Sequence, residues 1–142
     1  MKEQNFKNHT QYVPGYHGFT ALAILALLVG SIRHLIVAND TERYNASLIV
    51  LVAVILVCLF WYTRAFALKA QDRAIRVEEN LRHFMLTGKS MDHRIRMAQI
   101  IALRFASDDE LPALAQRAAE TSMTSADIKM AIKNWKADHY RV

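Results

Sequence analysis

The chain has 142 residues, 53% of them hydrophobic, and carries 18 Lys and Arg against 13 Asp and Glu, a formal net charge of +5. That length accommodates one membrane hairpin and one small domain and excludes two independent soluble domains. A single cysteine excludes an intrachain disulfide framework, and a positive balance suits either an anionic lipid surface or a nucleic acid, so the placement of the charges has to decide.

Residues 1–18 are polar and aromatic, and Pro14 with Gly15 marks a turn, so no continuous helix is expected from the N-terminus into the next segment. Tyr12, Tyr16 and Phe19 sit where a headgroup-level aromatic belt would lie, and His9, Tyr12 and His17 offer an alternative ligand or partner site. Residues 19–37, FTALAILALLVGSIRHLIV, form the first apolar run. The run exceeds a signal-peptide core of roughly 7–15 residues and is not followed by a small-x-small cleavage pattern before the next span, so it reads as a retained span. Ala23, Ala26 and Gly30 share one stripe with Arg33, and small residues let helix backbones approach closely in lipid. Arg33 and His34 lie near the outer end, where the guanidinium snorkels to the interface and Asp40 and Glu42 wait in the loop; both residues are candidate partner contacts.

Residues 38–45 are a short polar connection, and two helices joined so closely lie antiparallel. The second run, residues 46–62, reads ASLIVLVAVILVCLFWY without charge, Pro or Gly, over a length near the roughly 20 residues that span a bilayer core. Arg64, Lys69, Arg73 and Arg76 follow it and Lys2 and Lys7 precede the first run, whereas Arg43 in the loop is opposed by two acids. The positive-inside rule therefore puts both termini in the cytoplasm. Trp61 and Tyr62 are expected to meet Tyr16 and Phe19 at one interface, and Tyr12, Tyr16, Trp61, Tyr62, Arg64, Lys69, Arg73 and Arg76 are assigned to headgroup anchoring, each basic residue worth about 1 kcal/mol at an anionic surface.

No helix breaker separates Tyr62 from Thr87, so the second span is expected to continue as one helix until Gly88 ends it. Its stripe of Ala67, Ala70, Ala74, Val77, Leu81 and Phe84 alternates by three and four and is expected to pack against another helix. Glu78 with Arg82, and Glu79 with His83, are i,i+4 pairs on an exposed face. Beyond Gly88, Asp92 is expected to cap a helix with Ile95, Ala98, Ala102 and Phe105 on one line. Ser107 with Glu110 and Thr124 with Asp127 have capping-box spacing, and Pro112 suits only a helix start. The last helix is expected to carry Ile128, Ile132, Trp135 and His139 on one stripe, with Trp135 a candidate partner contact, and Lys129, Lys133 and Lys136 on another. Nine basic against four acidic residues over 64–104, one against five over 107–127, and four against one over 129–142 favour an internally complementary bundle.

Six histidines show no metal-binding spacing, Cys58 lies inside the second run, and the four glycines are too dispersed for a phosphate loop. No catalytic, metal or cofactor residue is assigned, and no enzyme is expected. Residues 114–135 have a helix-turn-helix layout presenting three lysines, but an acidic first helix opposes nucleic-acid binding.

NFKNHTQYVPGYH near the start, RAFALKAQDRAIRVEENLRHF in the middle, and IIALRFASDDELPALAQRAAE with IKNWKADHYRV at the end resemble an uncharacterised family of small bacterial membrane proteins over nearly the whole chain. The resemblance implies two spans, an integral inner-membrane location and no established activity, so it brings no site residues with it. The expected fold is all-α: an antiparallel transmembrane hairpin (19–62) after an interfacial segment (1–18), a juxtamembrane helix (63–88), and a small three-helix cytoplasmic domain (89–142). The expected function is a membrane-anchored interaction or scaffold protein whose partners are membrane lipids and a second copy or another membrane protein. The alternatives are an accessory subunit of a transporter or respiratory complex, or a membrane-tethered nucleic-acid binder.

Overall fold

The computed structural model describes residues 4–6, 8 and 12–138; Lys2, Lys7, His9 and His139 lie outside them. All regular elements among the described residues are helical. A π-helical stretch, Pro14–Thr20, runs into α1 (Ala21–Val37); α2 (Arg43–Thr87) follows, and α3 (Met97–Leu103), α4 (Leu111–Glu120) and α5 (Ser125–Ala131) complete the chain. No strand forms among the described residues, although Ala106 and Trp135 pair in an isolated antiparallel bridge.

The helical path begins at Pro14, earlier than the turn expected there. A proline in the first helical turn lacks an N–H that would have had no partner, and its fixed φ suits the helix, so Pro14 starts the segment instead of breaking it. Pro14–Val37 and α2 are both long and apolar enough, by length and composition, to cross a membrane. The 45 residues of α2 form one helix because nothing between Arg43 and Thr87 interrupts it. Gly88 ends it: with φ at 70° it occupies the left-handed region, and its N–H donates to the Phe84 carbonyl at 2.7 Å.

The chain divides into two compact units. In the unit of residues 12–67, the residues most fully covered are small and fall in pairs seven apart, Ser31 with Ala38 and Ala46 with Ala53. Ile24, Leu28 and Leu35 are half-buried on the same face of α1 as Ser31, whereas Ala23, Ala26 and Gly30 are exposed. The Tyr16 ring stacks on Phe60 with centroids 4.3 Å apart, and its hydroxyl donates to the Phe60 carbonyl. Tyr16 thus meets the residue just before Trp61 and Tyr62, which are themselves exposed.

The second unit joins the residues before Tyr12 to those from Leu68 onward. Phe105, Leu103, Leu111 and Ile128 are fully buried, and Ile75, Met91, Ile95, Ile100 and Leu114 extend the same core. Each such side chain contributes on the order of 1.5–3 kcal/mol when taken out of water. Buried Gln99 satisfies its polar atoms across this core: its Oε1 accepts from the Arg96 N–H at 2.8 Å and its Nε2 donates to the Met123 carbonyl at 2.8 Å.

Two helix boundaries differ from expectation. Asp92 does not cap α3; its carboxylate accepts from the Arg94 backbone and guanidinium, and the helix begins five residues later, after an extended Arg96. α5 stops at Ala131, so Ile132, Lys133, Trp135 and Lys136 leave the helix that was expected to carry them. Of the expected capping boxes, the one at Thr124 and Asp127 forms, with each side chain bonded to the other's backbone N–H at 3.2 Å. At Ser107 and Glu110 it does not, because Glu110 is engaged elsewhere.

Candidate interaction surface

From Leu68 onward, α2 has two unlike faces. The inner face carries Gln71, Ile75, Glu79 and Arg82, recurring at three and four residues, and meets the core of the tail. Arg82 is its hub. The guanidinium lies 3.0 Å from the Glu79 carboxylate and 2.6 Å from that of Asp108, and donates to the Ala106 carbonyl at 2.7 Å. Glu79 is therefore a buried ion-pair partner of Arg82 at i,i+3, not an exposed partner of His83. A charge held this far from water is tolerable only when paired and hydrogen-bonded. The Arg82 guanidinium in turn holds the Asp108 carboxyl below its ordinary range. Nothing in local spacing announces Asp108, 26 residues further on.

The outer face is the apolar stripe read from the sequence. Ala67 is half-buried, while Ala70 and Ala74 are exposed and Val77, Leu81 and Phe84 stand 68%, 57% and 52% exposed. Met85 and Leu86 add to the open apolar surface. The chain's own tail thus packs on another face of α2, its Arg104, Lys136, Ala137 and Asp138 bordering a groove that Ala74 and Glu78 share. Arg73 and Glu78 flank the stripe, both exposed and in no ion pair among the described residues.

The segment after α5 is bound into the tail. The Glu110 carboxylate accepts from the backbone N–H groups of Lys133 and Asn134, each at 3.0 Å, and the Lys136 N–H donates to the Phe105 carbonyl at 2.8 Å. Trp135 stacks on Phe105 with centroids 4.6 Å apart, so this residue, a candidate partner contact, packs inside the chain. Gln4 reaches the same place: its Nε2 donates to the Asp138 carbonyl at 3.0 Å, and its Oε1 accepts from the Asp138 N–H at 2.8 Å and from the Trp135 indole at 3.4 Å. No spacing signal points to these contacts: Gln4 has none, and the spacing of Glu110 points to Ser107, whereas their partners are 134 and 24 residues away.

Among the residues assigned to headgroup anchoring, Tyr12, Trp61, Tyr62, Lys69, Arg73 and Arg76 are exposed, and Tyr16 and Arg64 are half-buried. Tyr12 stacks on His17. Arg33 and His34 are exposed on α1, and Asp40 pairs with Arg43 at 3.1 Å instead of waiting for Arg33. A groove of about 830 Å³ lined by His83, Asp92, His93 and Gln116 opens in the tail. The Arg94 guanidinium holds Asp92 there well below the usual carboxylate range. Among the described residues no three His, Cys, Asp or Glu side chains converge as a metal site.

The whole chain, residues 1–142, matches the DUF6526 family, a family of unknown function. No curated protein and no solved structure matches.

Proposed function

The chain belongs to that family of unknown function, and from this premise we propose that it is a non-catalytic interaction protein, anchored by two membrane-spanning helices and displaying a helical tail for assembly. The observation that carries the reading is the open apolar face of α2 from Ala70 to Phe84. An exposed hydrophobic stripe of this length on a charged helix costs solubility unless something covers it, and this chain's tail covers another face.

The anchoring rests on several observations. A helix of 45 residues is about 67 Å long, roughly twice a hydrocarbon core of ~30 Å, so α2 is long enough to cross and continue beyond the headgroups. The connection between α1 and α2 is short, Tyr16 meets Phe60, and the covered small residues lie seven apart, which supports an antiparallel hairpin. Gln4 precedes the first span and Asp138 follows the second, yet they are hydrogen-bonded. Two residues that touch lie on one side of a membrane, which favours an even number of crossings between them and agrees with the positive charge on both flanks. Membrane pellets that retain the chain through alkaline wash, with tags at both ends reachable only after the inner face is opened, are the expected result. Recovery in the supernatant, or tags on opposite faces, defeats the anchoring.

The accessory-subunit reading draws support from Arg33, whose expected partner Asp40 is taken by Arg43. The nucleic-acid reading loses its recognition helix, since α5 ends at Ala131 and two of its three lysines lie beyond it.

A further inference from the structure

We infer that the occupant of the open face of α2 is a second copy of this chain, paired in parallel and in register from Ala70 to Phe84. The inference deepens the membrane-anchored reading and rests on it, because two copies inserted in the same sense into one bilayer present their α2 helices side by side and pointing the same way.

Ala70, Val77 and Phe84 recur every seven residues, with Ala74 and Leu81 between them, the two-position seam of a paired helix. In a parallel pair of identical helices, the residue just before Ala74, a first seam position, faces on the partner the residue just after Val77, the second seam position of the same heptad, five residues on in number. Those positions here are Arg73 and Glu78. Symmetry makes two such contacts, Arg73 to Glu78 of the partner subunit and the reverse, joining two exposed charges that have no ion pair within the described residues. An antiparallel pair loses this match. Ile75, Glu79 and Arg82 hold the tail on another face of the helix; Arg104, Lys136, Ala137 and Asp138 border Ala74 and Glu78 from one flank only, and Val77, Leu81 and Phe84 stay open to a partner. Ala70 and Ala74 allow close approach, and Val77, Leu81 and Phe84 supply apolar area where the helix is no longer flanked by alanines.

The test uses full-length chain in intact membranes, with Cys58, the one cysteine, replaced by serine. Ala70→Cys, Val77→Cys and Phe84→Cys, introduced singly and mildly oxidised, are each expected to give a disulfide-linked dimer, and Arg76→Cys, away from the seam, is expected to give none. Crosslinking at one of the three alone indicates antiparallel pairing and overturns the inference, as does an adduct with a different protein. No dimer at any of the three, from a chain that still pellets with the membranes, overturns the pairing and leaves the anchoring intact; loss from the membrane fraction overturns both. Arg73→Glu or Glu78→Arg alone is expected to lower the crosslinked fraction at Val77→Cys roughly fivefold, by turning two attractions into repulsions, and the two together to restore it. Singles without effect, or a double variant that fails to recover, overturn the register.

Discussion

Arg82 shows how one side chain sets which face of a helix turns inward. Its guanidinium engages Glu79, Asp108 and the Ala106 carbonyl at once, so removing it strands a buried carboxylate. Arg82→Met is expected to destabilise the tail by about 3 kcal/mol or more, and Lys69→Met, exposed on the same helix, by no more than about 0.5 kcal/mol. Thermal unfolding of the detergent-solubilised chain, followed by helix signal or proteolysis of the tail, checks both. Acid acts at the same scale. Asp108 is held below its ordinary value of 3.8 by Arg82, Asp92 by Arg94, and Asp127 by the Thr124 hydroxyl and backbone. A carboxylate with a lowered folded-state pKa contributes stability that is fully present above its unfolded value and is lost as pH falls through the folded one. Tail stability from these three groups should thus be level from pH 7 to about 5 and decline below about 4. A titration followed by tail proteolysis that declines instead between pH 7 and 5 would contradict this origin.

Helix ends are where the elements are decided. Gly88 and Ser122 are the two described residues with positive φ, at 70° and 52°, each just past a helix. Glycine adopts that conformation without a Cβ penalty and serine does not, so Gly88→Ala is expected to cost about 1 kcal/mol and Ser122→Gly to gain up to about 1 kcal/mol, read as opposite shifts in melting temperature. α5 ends for a different reason. Ile132 is no helix breaker, but the Glu110 carboxylate captures the next two backbone N–H groups and Trp135 stacks on Phe105, so tertiary bonds outcompete another helical turn. Glu110→Ala is expected to loosen residues 132–138, seen as faster amide exchange of Lys133 and Asn134.

For the molecule as a whole, the membrane reading predicts that single intramembrane polar groups matter less than the paired faces. Arg33→Leu is expected to leave membrane insertion and the α2 crosslinks unchanged, since a guanidinium near a helix end reaches the headgroups by itself. Loss of a co-purifying subunit in that variant would favour the accessory-subunit reading instead.

All-helical character, two long apolar helices, the unbroken run to Gly88 and the capping box at Thr124 were legible from the residues, because each rests on local composition or on spacings within a few positions. The outer stripe of α2 was legible as a stripe. Which face the tail would take was not, since Ile75, Glu79 and Arg82 read as part of an exposed helix until Asp108 and the tail core are brought to them. The partners of Trp135, Glu110 and Gln4 are not legible for the same reason. Periodicity reports which residues share a face of one element, but the partner of that face is chosen by contacts between residues far apart in sequence, and those exist only once the chain has folded.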